Sequence, residues 1–104
     1  MTYAIHALDV LADPTRRRIL EKLRQGPCAV GEIAANLPVS RPAVSQHLKL
    51  LKETGLVAER REGTRHYFTL SPEGLGDLRA YIDGLWSDAL AAFAAHVAQG
   101  PADE

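Results

Sequence analysis

Cysteine, membrane-length apolar runs and targeting signals are scarce or absent in this 104-residue sequence. Its one cysteine, Cys28, cannot form a disulfide within the chain. Such a composition is typical of the reducing cytoplasm, where we expect the protein to work. No apolar run is long enough to cross a bilayer, and the first residues carry neither a basic region nor a signal-type apolar block. We therefore expect no membrane association.

Residue sets that catalysis requires are also lacking. No Ser, His and acid residues, and no Cys and His, are spaced so as to suggest a common catalytic site, and no glycine-rich loop follows a predicted strand. We therefore do not expect an enzyme.

The chain has no marked excess of positive or negative charge, because 12 Lys and Arg and 13 Asp and Glu give a formal net charge of −1. The two signs are nevertheless segregated along the chain. Residues 13–70 hold eleven of the basic residues and six acids, for a net of +5, whereas residues 71–104 hold one Arg and six acids, for a net of −5. A basic segment of this kind is typical of a nucleic-acid site, although a merely solvated face is the alternative.

Residues 31–54 have the pattern of two short helices joined by a tight turn. The first should end near Asn36, because Pro38 disfavours the helical conformation at the residue before it. Ser40 is expected to cap the second helix by accepting a free backbone N–H. The buried stripe of the second helix consists of Val44, Leu48 and Leu51. The unit is predicted to be a helix-turn-helix.

The opposite face of the second helix is polar and suited to DNA. Arg and Gln make bidentate contacts to guanine and adenine edges, whereas Ser and Lys more often bind phosphate. Pro42 either touches a thymine methyl or only shapes the first turn, and His47 either binds phosphate or packs against the first helices. The predicted DNA-contacting residues of this helix are Ser40, Arg41, Pro42, Ser45, Gln46, His47 and Lys49.

Two helices are expected ahead of this unit. The first covers residues 2–12, and the second has Asp13 as its N-cap and Pro14 in its first helical position. Three arginines follow in the first turn, where the helix dipole disfavours cations, so some of them should have an acidic or a phosphate partner. For Arg16 we favour a structural salt bridge, since Asp13 and Glu21 are close in sequence.

A charged hairpin is expected after the helix-turn-helix. Gly55 is expected to end the second helix of the helix-turn-helix by taking the left-handed backbone conformation. Residues 57–61 and 65–70 are expected to form two strands around a glycine-containing turn. Such a hairpin is a wing, and its predicted phosphate or minor-groove contacts are Arg60, Arg61 and Arg65. One of these arginines can instead pair with Glu59 or Glu62.

A last helix is expected to run from Pro72 to Gln99, followed by a flexible tail at residues 100–104. At about 1.5 Å per residue it would be roughly 40 Å long, which exceeds what so small a core can cover. The simplest cover for its continuous apolar stripe is the same helix, with the first one, of a second copy in a twofold dimer. The predicted dimer interface consists of Ile5, Leu8, Leu78, Ile82, Leu85, Trp86, Leu90 and Phe93. Residues 1–99 are thus expected to form one mainly α domain with a two-stranded β wing, a winged helix-turn-helix.

Six short sequences carry a family resemblance. They are ALDVLADPTRRRIL at residues 7–20, VGEIA at 30–34, SRPAVSQHLKLL at 40–51, GLV at 55–57, RREG at 60–63 and YFTL at 67–70. In this order they resemble the ArsR-type winged-helix transcriptional repressors over almost all of residues 4–98. The resemblance implies a homodimer that sits on an inverted-repeat operator in double-stranded DNA and blocks transcription. It also implies that the second helix of the helix-turn-helix enters the major groove while the wing reaches the flanking backbone.

The sequence departs from the family's pattern at the turn and at the metal sites. The turn contains Pro38 where the family usually has glycine, and because proline cannot take positive φ the turn must follow a different path. The positions of a Cys-x-Cys metal pair hold Ala29 and Gly31, and the last helix offers only His96 for the family's other metal site. Zinc needs about four ligands, mostly Cys and His, so we expect no metal and no cofactor, and the effector stays unknown.

Three alternatives stay open beside the simple repressor. One is a metal-responsive repressor, and another is a winged helix that serves only protein interaction. The third is a redox-responsive repressor, because a helix-start position would favour the thiolate of Cys28. An inert buried cysteine is the simpler interpretation of that residue.

Overall fold

A computed structural model describes the backbone of residues 2–99 and the side chains of residues 6–99. The elements of the described chain are α1 (Thr2–Val10), α2 (Pro14–Leu23), β1 (Cys28–Ala29), α3 (Val30–Ala35), α4 (Arg41–Glu53), β2 (Val57–Glu62), β3 (Arg65–Leu70) and α5 (Pro72–Gln99). The predicted tail at residues 100–104 and the side chain of Ile5 lie outside the described residues. No helix within residues 2–99 has both the length and the apolar character needed to span a membrane.

The junction between α1 and α2 is set by Asp13 and Pro14. The Asp13 carboxylate accepts the backbone N–H groups of Thr15, at 2.7 Å, and Arg16, at 3.3 Å. Desolvation raises the pKa of this carboxyl, but those two hydrogen bonds lower it, and the net pKa lies below the ordinary value of 3.8. Because Asp13 must be extended to serve as the cap, α1 ends at Val10 and not at the predicted residue 12.

The helix-turn-helix forms as predicted from α3 and α4. The Ser40 hydroxyl accepts the N–H of Ala43 at 3.2 Å, and α3 ends at Ala35, just before Asn36. The turn that contains Pro38 is built without a positive φ. The close approach of the two helices rests on Val44, which is fully buried.

The end of α4 is a Schellman motif. Gly55 has φ +85°, its N–H donates to the carbonyl of Lys52, and the N–H of Leu56 donates to the carbonyl of Leu51, both at 3.0 Å. Leu56 is then fully buried as the hydrophobic contact of this ending. The motif turns the chain directly into β2.

The predicted two-stranded wing is formed by β2 and β3, and a third strand that was not predicted extends it to an antiparallel sheet in the order β1-β3-β2. In the hairpin Glu62 is opposite Arg65, so that Gly63, with φ +63°, and Thr64 form a two-residue turn. The added strand β1 pairs with β3 through only two residues. A strand this short has no periodicity for sequence analysis to detect.

The core lies between α1, α2, α3, α4, the sheet and the first turns of α5. Its largest fully buried side chains are Ile19, Ile33, Val44, Leu48, Leu51 and Leu56. From Ile82 to Gln99, by contrast, every residue of α5 is exposed. The radius of gyration is 18.7 Å, whereas a compact domain of this size has about 13 Å, because this outer part of α5 projects from the core.

Candidate nucleic-acid interface

The polar face of α4 is open to solvent. Arg41, Pro42, Ser45, Gln46 and Lys49 are all exposed, as are the N-cap residue Ser40 and, at the far end, Glu53. Their position follows from the buried stripe on the other side of the helix, which fixes the rotation of α4 about its axis. The helix-turn-helix thus presents a face whose side chains are free to meet a ligand.

Two cations of this face are free of protein partners. In the described part of the chain, Arg41 and Lys49 make no hydrogen bond or ion pair. The guanidinium of Arg41 lies over the start of α3, with Nη1 3.7 Å from where a Cβ on Gly31 would be. An unpaired, exposed Arg at the first residue of α4 is therefore available to an anion or a base edge.

The wing arginines differ in their contacts. Arg60 pairs with Glu62 at 3.3 Å, which is one of the two acids named as alternatives from the sequence. Arg65 donates to the Tyr67 hydroxyl at 3.1 Å, and this hydrogen bond raises the pKa of Arg65. Within the described residues, Arg61 has no hydrogen bond or ion pair. All three arginines stay exposed.

An open groove of about 620 Å³ joins α4 to the wing. It is lined by Ala29 of β1, by Val30, Gly31 and Glu32 at the start of α3, by Arg41 of α4, and by Thr64, Arg65 and His66 of the hairpin. Arg41 and Arg65 thus lie on the walls of one depression, although they are 24 residues apart in sequence. The groove thus brings together one predicted contact residue of α4 and one of the wing.

Glu59 fixes the wing to the end of α4. Its carboxylate accepts the Lys52 ammonium at 2.8 Å and also contacts Nδ1 of His66 on the neighbouring strand. These two hydrogen bonds, from Lys52 and then from His66, hold the pKa of Glu59 below its ordinary value of 4.5. The side chain of Glu59 is only 19% exposed, so its ion pair with Lys52 is better shielded from water than the Arg60–Glu62 pair near the tip of the wing.

The predicted salt bridge of Arg16 is present but long, at 4.0 Å to Asp13. Glu21, the other candidate, pairs instead with Arg24 at 2.9 Å. Arg16 has two further partners, the carbonyl of Val10 and the ring of His47. His47 is half-buried against α2, which agrees with the second of its two alternatives, packing against the first helices. No pattern in the sequence pairs His47 with Arg16, which is 31 residues away.

Cys28 does not occupy the predicted helix start. It lies in β1 opposite Phe68, is 7% exposed, and its thiol donates to the carbonyl of Gly26 at 3.5 Å. Cys28 is therefore a buried residue of the sheet, and it lacks the helix-start position that was expected to favour its thiolate. Among the described residues, no three His, Cys, Asp or Glu side chains come together in a way that could hold a metal ion.

The predicted dimer residues fall into two groups. Leu78 is 7% exposed and belongs to the protomer's own core, because the first turns of α5 pack against α1. We therefore leave it out of the proposed interface. The exposed group, with exposed fractions between 39% and 65%, consists of Leu8, Ile82, Leu85, Trp86, Leu90 and Phe93, joined by Val97.

Comparison with known proteins assigns the chain to a family. The sequence profile of the bacterial regulatory protein, arsR family, matches residues 13–59. The HTH-type transcriptional regulator Rv2034 of Mycobacterium tuberculosis is 56% identical over 88 residues, which cover 85% of this chain and 82% of that protein. The transcriptional repressor SdpR of Bacillus subtilis is 37% identical over 67 residues, covering 64% of this chain and 74% of the repressor.

A solved structure supports the fold as well as the family. It is the homodimeric winged helix-turn-helix DNA-binding domain of a possible ArsR-family transcriptional regulator from Mycobacterium bovis, with a TM-score of 0.68 and 34% identity. The match covers 86% of this chain and 82% of that domain. The chain belongs to the arsR family of bacterial regulatory proteins and has the winged helix-turn-helix fold.

Proposed function

We propose that the protein is a sequence-specific repressor of transcription that binds an inverted-repeat operator as a homodimer in the cytoplasm. The observation that supports this best is the groove with Arg41 on one wall and Arg65 on the other. In this proposal α4 lies in the major groove of the DNA, and the wing follows the flanking backbone. The relatives named above are transcriptional regulators, and one of them is a repressor.

The roles of the site residues follow from their chemistry. Arg41 and Gln46 would contact base edges, and Ser45 and Lys49 would bind phosphate. The hydroxyl of Ser40 already caps α4, so its contribution to DNA is through the position of the helix. Pro42 would shape the first turn, and Arg60, Arg61 and Arg65 would neutralise phosphates beside the major groove.

The proposal of a homodimer is supported by the solvent-exposed apolar stripe of α5. Side chains as large as Trp86 and Phe93, each 65% exposed, form a continuous apolar surface that a single copy leaves in water. A twofold axis would place this stripe and Leu8 against the same residues of a second copy. Two copies of α4 would then meet half-sites about one helical turn apart.

Selection of duplexes from a random pool, followed by titrations of the selected duplex at several salt concentrations, tests the proposal. We expect an inverted repeat bound with nanomolar affinity at physiological salt. The affinity should fall with a log–log slope of about −0.9 per phosphate contact. If no duplex binds even at low salt, the protein is a protein-interaction module and the proposal is wrong.

A further inference from the structure

The side chain of Arg16 joins three elements. Its Nε donates to the carbonyl of Val10, the last residue of α1, at 2.6 Å. Its Nη1 lies 3.4 Å from Nδ1 of His47 on α4 and 4.0 Å from the Asp13 carboxylate at the cap of α2. Only 18% of the side chain is exposed. A planar, permanently charged group that bonds in several directions holds its partners in a fixed mutual orientation.

Arg16 and His47 can form a hydrogen bond in one way. A guanidinium only donates, so the contact is a hydrogen bond when Nδ1 of His47 is the acceptor and the ring proton is on Nε2. In that tautomer the bond holds the orientation of the half-buried ring at the edge of α4. The hydrophobic contacts between α2 and α4 supply attraction but not direction.

The two ends of this link belong to different parts of the proposed function. α1 packs against α5, the helix that carries the exposed apolar stripe. α4 carries the polar face that would enter the major groove. Arg16 contacts both of them, with a hydrogen bond to α1 and the contact with His47 on α4.

We propose that Arg16 is a positioning residue that fixes the orientation of α4 relative to α1, and thereby the spacing at which the two copies of α4 meet the operator. The inference rests on the proposed function, because spacing has a meaning only for a dimer on DNA. Arg16 acts here without touching the DNA, which separates its role from that of the exposed arginines.

Arg17 provides a matched control. It is the next residue and has the same charge, and it also bonds to the chain just after α1, by donating to the carbonyls of Leu11, at 2.8 Å, and Ala12, at 3.0 Å. Its side chain is exposed and makes no hydrogen bond to α4 within the described residues. The variants Arg16→Met and Arg17→Met therefore differ in the link to α4.

The experiment measures affinity for the selected operator and for operators whose half-sites are moved together or apart by one base pair. For Arg16→Met we expect about a tenfold loss on the selected operator, which is close to the lower end of what one charged hydrogen bond is worth. The salt slope should stay unchanged, and the preference for the selected spacing should flatten. For Arg17→Met we expect affinity within about twofold of the parent protein and an unchanged spacing preference.

Several outcomes would overturn the inference. A salt slope reduced by about 0.9 would make Arg16 a phosphate contact. Equal losses in the two variants would reduce its role to capping α1, and an unchanged spacing preference would remove the link to the dimer. If the parent protein binds no duplex, the proposed function fails in the same assay, and that result is distinct from these.

A second variant covers the case in which Arg16→Met does not fold. His47→Leu removes the acceptor on α4 and leaves the bond from Arg16 to Val10 in place. Its spacing preference should flatten in the same way, whatever its overall affinity. A spacing preference equal to that of the parent protein would contradict the inference.

Discussion

Two regions of the chain use apolar residues in opposite ways. In residues 6–78 apolar side chains of α2, α3 and α4 such as Ile19, Ile33 and Leu48 have no exposed surface. In residues 82–99 the large apolar side chains are all exposed, from 46% for Ile82 to 65% for Trp86 and Phe93. The two regions do not differ in the presence of a hydrophobic stripe. They differ in whether another element of the same chain covers it.

The comparison indicates what each region contributes to stability. A helix of 18 residues that buries nothing in its own protomer is marginal in water, because helices in proteins depend on packing. We therefore expect the compact region to fold on the contacts of one chain, whereas in the proposed dimer a second copy covers the outer part of α5. The following predictions test this division, beginning with the largest effect.

Trp86→Ala should have the largest effect, and it should act on dimerisation. Truncating a large aromatic anchor costs about 2 kcal/mol or more, and a twofold interface contains the residue twice. The dimer should therefore lose about 4 kcal/mol, so that its dissociation constant rises roughly a thousandfold in sedimentation equilibrium. Asp88→Ala is the control, because Asp88 lies about 160° around the helix from Trp86. Equal effects of the two variants would contradict a dimer built on the stripe.

Leu48→Ala should act inside the protomer. Leu48 is fully buried, and a leucine-to-alanine change at such a site costs about 2–5 kcal/mol through lost burial and the cavity left behind. Urea unfolding at fixed protein concentration measures the loss, and sedimentation of the folded protein should show a dimer as tight as the parent. A weaker dimer with unchanged unfolding would reverse the roles of the two regions.

Arg41→Ala should act on the DNA face alone. If Arg41 contacts a base edge, the operator affinity falls by about 1–3 kcal/mol and the preference for the operator over random duplex weakens. Arg24→Ala is the control, because Arg24 is an exposed arginine at the C-cap of α2 that pairs with Glu21. A loss that is equal on operator and random duplex would assign Arg41 to a phosphate instead.

The parts of the fold that could be predicted from the sequence are those set by neighbouring residues. Asp13 and Pro14 start α2, Ser40 starts α4, and Gly55 ends it, and each of these signals acts over three or four residues. The periodicity of α4 also placed its polar face on the outside. These local rules were enough to predict the helix-turn-helix and the hairpin.

The parts that could not be predicted depend on contacts between distant residues. β1 exists only because Cys28 and Ala29 reach the edge of β3, and a two-residue strand has no pattern of its own. Leu78 belongs to the same apolar stripe as Leu85, and only the packing of α5 against α1 assigns it to the core. The contact of Arg16 with His47 has the same origin.

Glu59→Gln should have the smallest effect, at the edge of the compact region where the wing meets α4. Because its hydrogen bonds to Lys52 and His66 lower the pKa of Glu59 in the folded protein, its contribution to stability is fully present above the ordinary value of 4.5. That contribution is lost as the pH falls through the lower folded value. In urea unfolding below about pH 4.5, the Glu59→Gln variant should therefore lose less stability with falling pH than the parent protein.

Glu62→Gln separates this effect from a general loss of acidic charge on the hairpin. Glu62 is an exposed residue of β2 that pairs only with Arg60 near the wing tip, so its removal should leave the acid limb of the stability curve as it is in the parent. Equal flattening by the two variants would mean that net charge, and not the contact with α4, governs the pH dependence.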